Sequence, residues 1–461
     1  MRHFLILISF FLTLLCNSQG FRTRHYHPGG LTNLSKAVFE ATAGTYITGG
    51  MTVDTSNGGY SNKLCLMGLN SQGQVQWTKK YGSNKFQYLN NNLISRSYYK
   101  QVNNMYYTGC VQDSTNKITG VLIKFNLNGD TLWQKIYRDP IEDVIPQMVT
   151  GSIDGGFLIT GFFQNWINHA SLCLLIKTDA HGNELWRKKL AKVSPNVQDG
   201  KAIVQDTATK KIVIVGYQYP TSVSTFDNLV ILDSLGNPLY RSMFTDLGGV
   251  LQDLIQTQDK NFIAVGWKYH SETLGGTNLM SSFAVKFDVN NPATPIWQIN
   301  GFDKKSIQNG FSCIRELPNE DLLLSGFIDT LRIHNILDNT LSRITKLDKN
   351  GNMTWNAYYN YKINDMSHEN VQGSRSIELT SDGGWITANE FFNSPSPNPF
   401  FFVKYDSNGC DSTLAYCAEV ASGIHTTKAA GANVSIYPNP ANSNLNIDLE
   451  NNAGELVIGF L

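Results

Sequence analysis

The chain has 461 residues and is formally neutral, with 37 basic and 37 acidic side chains; 41% of it is hydrophobic and only 16% charged. Neutrality without a visible Lys/Arg stripe disfavours nucleic-acid binding, which rests on clustered cations neutralising phosphates. Beyond residue 15 no run is long and apolar enough to cross a bilayer as a helix, and 39 glycines with frequent Asn turns point to β structure.

Residues 1–18 read as a secretory signal peptide. Arg2 makes a positive start, Phe4 to Leu15 is apolar except at Ser9 and Thr13, and small residues follow at Cys16 and Ser18. Cleavage is expected after Ser18, with Gly20 as the other position. Leu15 is too large for lipid attachment at Cys16. The mature chain then opens on FRTRHYH (Phe21 to His27), which alternates like a strand.

From residue 33 the chain repeats. Trp77, Trp133, Trp186, Tyr240, Trp297 and Trp355 stand 53 to 58 residues apart, each behind an Asp/Asn turn, usually with Gly. Four strand signals make up each unit. Strand A is half-buried, as in Ser374 to Thr380. An Asp/Asn/Gly/Pro turn such as Asp154-Gly155-Gly156 or Asp382-Gly383-Gly384 follows. Strand B is an apolar run ending in Gly: Gly49, Gly109, Gly161, Gly216, Gly266, Gly326 and, degraded, Ala388. That Gly suits a position approached closely by the backbone of a neighbouring sheet. The aromatic after it (Phe162, Tyr217, Trp267, Phe327) is expected between adjacent sheets. Strand C is apolar with a late Lys (Cys173 to Asp179, Phe283 to Asp288, Phe401 to Asp406), and strand D carries the aromatic on a half-wet face.

Seven such units predict an all-β fold, a seven-bladed β-propeller of four-stranded antiparallel blades. The blades fall near 33–82, 90–138, 144–191, 198–245, 250–300, 309–360 and 372–417, within a propeller domain of 19–417. Blade seven lacks a good strand D, so residues 21–27 are expected to supply it and close the ring. Residues 418–433 read as a linker, followed by a separate tail of 434–461.

Cys65, Cys110, Cys173 and Cys313 sit singly in apolar strands and read as small buried hydrophobes. Cys410 and Cys417 are a candidate disulfide in an exported protein. The seven-residue step spans roughly 23 Å if extended, so a bridge would require the segment to fold back.

After the repeats comes Tyr437-Pro438-Asn439-Pro440-Ala441-Asn442, followed by Leu445-Asn446-Ile447. This phrase resembles the start of the type A C-terminal sorting domain of the type IX secretion system of the Bacteroidota. The repeats also look like the propeller repeats that often precede such domains. The resemblance implies export through the general secretory pathway, passage across the outer membrane by the type IX machinery, and a secreted or cell-surface location. The chain departs from the pattern by ending at Gly459-Phe460-Leu461, without the late strands and basic terminus. Either the sequence is truncated or the signal is broken; by the resemblance, residues 434–461 are an incomplete β-sandwich that is not expected to fold alone, and a non-functional sorting domain would leave the protein periplasmic.

No catalytic, cofactor or metal site is assigned. The strand C to D turns (Asp179 to Asn183, Asp348 to Asn352, Asp406 to Gly409) suggest calcium but are short of carboxylates and read as turns. His25 and His27 make half a metal site at most. Asp365, His368 and Glu369 read as a polar loop, and Trp166 as a candidate ligand contact. There is no nucleophile elbow, HExxH, Walker loop or dinucleotide fingerprint. The reading is a non-catalytic binding or scaffold propeller for a glycan or protein ligand. The alternative is an extracellular polysaccharide hydrolase or lyase with carboxylates at the channel mouth. A third reading is a purely structural surface-layer or gliding-associated component.

Overall fold

The computed structural model describes residues 20–411 apart from 28–29, 56–59, 84–85, 90–94, 166–169, 191–197, 219–228, 243, 245–248, 275–276, 302–307, 330–339, 360–369 and 393–397. It also describes three strands nearer the C-terminus: His425–Ala429, Ala432–Tyr437 and Asn446–Glu450. Side chains of a few residues flanking these gaps are likewise outside the described set.

Seven antiparallel blades form a propeller. Blade three shows the plan: Asp143–Gly151 inside, then Phe157–Asn165, Ala170–Thr178, and Glu184–Leu190 outside. The inner strands of the other blades are Gly30–Thr42, Tyr98–Gln101, Gln198–Gln205, Gly249–Gln256, Asn309–Glu316 and Asn370–Leu379. In blade two the inner edge of Asn104–Asp113 is shared by Phe86–Tyr88 and Tyr98–Gln101, with a 3-10 turn, Ser95–Ser97, just before the latter. Among the described residues this turn is the one helical element.

The seventh blade takes its outer strand from the other end of the chain. Phe21–His25 pairs antiparallel with Phe400–Tyr405, Phe21 facing Lys404. That register matches the other blades, where Trp133, Trp186, Trp297 and Trp355 face Lys124, Lys177, Lys286 and Lys346. Arg22 further ties the strand to Asp411.

Each outer-strand tryptophan lies over the C–D turn glycine of the next blade. A Cβ on Gly129, Gly182, Gly236 or Gly409 would stand 2.8 Å from the indole of Trp77, Trp133, Trp186 or Trp355. These glycines also have positive φ, from 75 to 86°, so they serve both the turn and the ring above it. Phe21 covers Gly73 in the same way and supplies the seventh blade's rung. A second aromatic on several outer strands reaches the same turn: Tyr137 donates to the Gly182 carbonyl at 2.8 Å and Tyr359 to that of Gly409 at 2.9 Å.

Apolar clusters join the blades around the ring. They link blades one and two, two and three, three to five, five and six, and six and seven. Another joins seven to one, with Phe21, Phe400 and Phe402 packed on Val38, Tyr46 and Met67. The strand B and C runs are hydrophobic on both faces because both faces are covered by neighbours.

The strand B glycines differ from the sequence reading in two respects. The strands continue past them, as Phe157–Asn165 does past Gly161. Their close neighbour is the inner strand of the same blade, not an adjacent sheet. Gly161, Gly216, Gly266 and Gly326 face the carbonyls of Ile145, Asp199, Val250 and Gly310, each beside a register shift. A bulge in strand A pushes that carbonyl into the space a Cβ would need. The following aromatics do pack between sheets where described: Trp267 meets Phe327 edge-on at 6.0 Å.

In the C-terminal part, His425–Ala429 pairs with Ala432–Tyr437, which pairs with Asn446–Glu450. The first of these strands lies inside the span read as linker. Its Thr426-Thr427 pair supplies β-branched residues, which favour extended backbone.

Candidate binding site in the central channel

The inner strands carry charged side chains towards the channel, and several of them pair between blades. Arg96, in the 3-10 turn of blade two, crosses the channel to Asp253 of blade five, with Nε 2.7 Å from Oδ1 and Nη2 2.8 Å from Oδ2. Its turn packs on the inner strands of blades one, three and seven. Asp253 is fully buried and also accepts from the Ile314 and Leu254 amides at 2.9 and 2.8 Å. Arg315 of blade six lies 3.4 Å from Asp253 and forks onto Glu378 of blade seven, its Nε at 2.9 Å. Burial opposes the Arg315 charge, but Cys313, Glu378 and Asp253 outweigh it and raise its pKa well above the usual arginine value.

Nearer the other end of the inner strands, Glu390 sits buried between Lys36 at 2.5 Å and Arg375 at 3.0 Å. Burial pushes its pKa up, and those two cations more than reverse this, holding its carboxyl below the usual range.

Above the Arg96 crossing lies a cavity of about 360 Å³, lined by Phe39, Glu40, Tyr99, Lys100, Thr150 and Glu378 among others. These residues belong to blades one, two, three and seven. They lie at the ends of the inner strands that lead into the A–B turns, so the cavity is a cup at that mouth. Lys100 donates to the carbonyls of Glu40 and Ala41. The Glu40 carboxylate is engaged elsewhere, by Gly44 N at 3.0 Å, Ser381 N at 2.6 Å and Ser381 Oγ at 2.9 Å.

Other sequence candidates fall outside this site. The turn aspartates bind their own loops: Asp179, Asp233 and Asp348 each accept two amides, two and four residues on, at 2.8–2.9 Å. Hydrogen bonds from Asn183, Asn237 and Asn352 hold these carboxyls below the usual range. That is the turn reading, with no oxygen cage. His25 and His27 are both shifted down, by burial and, for His27, next by Lys80. Among the described residues no three His, Cys, Asp or Glu side chains could hold one metal ion.

Burial pushes the thiols of Cys65 and Cys173 up to about 12 and of Cys313 up to about 11, so these cysteines behave as hydrophobes. Cys410 is buried, its amide bound to Asp406 at 2.8 Å; Cys417 lies outside the described residues. So do Trp166, Asp365, His368, Glu369, the signal segment 1–18, and Pro438, Asn439 and Pro440. Tyr437 closes its strand opposite Asn446.

Two features had no sequence signal. A more open groove of about 830 Å³ between blades two and three is lined by Lys117, Arg138, Ile141 and Asn165. His270 Nε2 lies 2.7 Å from Ser281 Oγ on the hairpin of blade five, but that serine is buried.

By sequence the chain matches no family model and no curated protein. Solved structures do match it. An acylaminoacyl peptidase of Pyrococcus horikoshii is 8% identical with a TM-score of 0.44, covering 88% of this chain; the chain spans 57% of that protein. The β-propeller domain of the Trilobed protease of Pyrococcus furiosus is 8% identical with a TM-score of 0.42, covering 83% of this chain and 98% of its own. The α-L-arabinofuranosidase Arb93A of Fusarium graminearum is 8% identical with a TM-score of 0.46, over 85% and 98%.

Proposed function

We propose that the chain is an exported, non-catalytic binding propeller that takes a glycan or protein ligand in the cup at the A–B turn mouth of its channel. One observation carries this reading: the carboxylates of the channel are committed. Asp253 and Glu378 are neutralised by arginines, Glu390 by Lys36 and Arg375, and Glu40 is held by a neighbouring turn. A glycoside hydrolase needs one carboxyl poised to give a proton and a second about 5–10 Å away to attack or to activate water. Carboxylates clamped by cations are poor proton donors. The alternative, a polysaccharide hydrolase or lyase, would need an acid beyond these four.

The export half of the proposal rests on the signal-like residues 1–18 and on the Tyr437-Pro438-Asn439-Pro440 phrase. A glycan array probed with the full chain and with Thr150→Trp, which fills the cup, tests the binding half. Binding lost in the variant at unchanged melting temperature supports the reading. Release of reducing ends or unsaturated sugars from any bound polysaccharide would overturn it in favour of the enzyme.

A further inference from the structure

We infer that the ligand of the cup carries a carboxylate and is a saccharide; this rests on the cup being the binding site. The inference comes from which hydrogen-bonding groups of the cup are already used. On the acceptor side little is left. Glu40 takes three donors, Glu378 takes the Arg315 fork, and Asp253 takes two amides besides Arg96 and Arg315.

On the donor side a charge is left. A lysine ammonium has three N–H groups, and Lys100 spends two on main-chain carbonyls, with no carboxylate within ion-pair distance among the described residues. Arg96 directs Nε and Nη2 at Asp253 and Ile314 and also lines the cavity.

An ammonium with an unspent N–H and no carboxylate beside it among the described residues selects an acceptor with negative charge. A neutral ligand would cover Lys100 without a counter-ion, at a desolvation cost. A carboxylate satisfies both requirements, with charge-assisted bonds shorter and stronger than neutral ones. The groups around that carboxylate are also selected. A peptide brings amide N–H groups that need acceptors, which the cup has already spent. Sugar hydroxyls accept as well as donate, and the half-buried ring of Tyr99 offers an apolar wall to a sugar face. Arg96 crosses beneath, so the cup admits the end of a ligand and not a chain passing through.

The test is calorimetric titration of the full chain with trigalacturonate, maltotriose and triglutamate. Trigalacturonate is expected to bind, more weakly as salt rises, and to lose on the order of tenfold or more in Lys100→Met, as removal of a close charge partner does. Lys100→Arg, which keeps the charge, should restore most of the affinity and guards against a folding defect, as does an unchanged melt. Maltotriose binding as tightly as trigalacturonate, and blocked by Thr150→Trp, would overturn the carboxylate while keeping the cup as the site. Equal binding of triglutamate would overturn the saccharide. Trigalacturonate binding that survives Thr150→Trp would overturn the cup itself, and no binding by trigalacturonate would overturn the inference.

Discussion

The ring of Phe21 lies on Gly73, so the first strand of the fold covers a turn of blade one while hydrogen-bonding to blade seven. Phe21 stands where the other blades carry Trp or Tyr, and the cluster around it joins the two ends of the ring. Phe21→Ala should therefore cost about 3 kcal/mol or more, the usual range for a buried Phe. Deleting residues 19–28 should lower the melting temperature sharply. Calorimetry of the two variants checks this; an unchanged melt in the deletion would show that the ring does not depend on this strand.

Two turn glycines with the same backbone need should respond differently to a methyl group. Gly155 and Gly182 have φ of 87 and 75°. Nothing lies within 4 Å of a Cβ on Gly155, whereas one on Gly182 meets Trp133 at 2.8 Å. Gly155→Ala should cost about 1–2 kcal/mol of left-handed strain. Gly182→Ala should cost roughly 1–3 kcal/mol more, for crowding a packed ring. Urea denaturation of both variants measures the difference, and equal losses would contradict the packing of the ladder.

Asp253, fully buried, balances two part-buried arginines. Asp253→Ala should destabilise by about 3–5 kcal/mol, because Arg96 and Arg315 lose the carboxylate between them. Replacing Arg96 by Met in that background should recover part of the loss, since the stranded charge is then gone. A double-mutant cycle in chemical denaturation reads the coupling; strict additivity would show that the bridge across the channel contributes nothing.

Acid should loosen the blades in a defined window. Burial works against the charge of Asp382, but bonds from Thr380, Lys404 and Gly384 bring its pKa down to about 2; Glu390 is also lowered. The folded values lie below the unfolded ones, near 4, so the unfolded chain binds more protons in between. The stability these groups contribute is full above about pH 4–5 and is lost as pH falls towards about 2. The urea midpoint should drop across that window, less steeply in Asp382→Asn. A midpoint flat from pH 5 to about 2.5 would count against the Lys404 pairing.

The fold was legible because its signals are local. The Asp/Asn-Gly turns and the alternation of Phe21 to His25 each lie within a few residues, the Trp spacing repeats the turn signal around the chain, and each marks an element that the structure contains. The strand B glycines were seen but misread, since their partner is a bulged carbonyl reached only after register is set. The cup was not legible at all. Arg96 and Asp253 lie 157 residues apart, and neither stands in the repeat at a position that distinguishes it. Residues donated by five blades to one mouth carry no shared sequence pattern.

Joining Phe21–His25 to Phe400–Tyr405 also sets an order on synthesis. A ribosome adding about 5–20 residues per second makes the first of these strands tens of seconds before its partner exists. During that interval the segment is an orphan edge, the kind of surface that nucleates aggregation. Its own composition answers the hazard: Arg22 and Arg24 alternate with Phe21 and Thr23, and like charges on a bare strand repel another copy. Arg22 then finds Asp411 once the last turn is made, so the charge that guards the nascent chain becomes the clasp of the finished one.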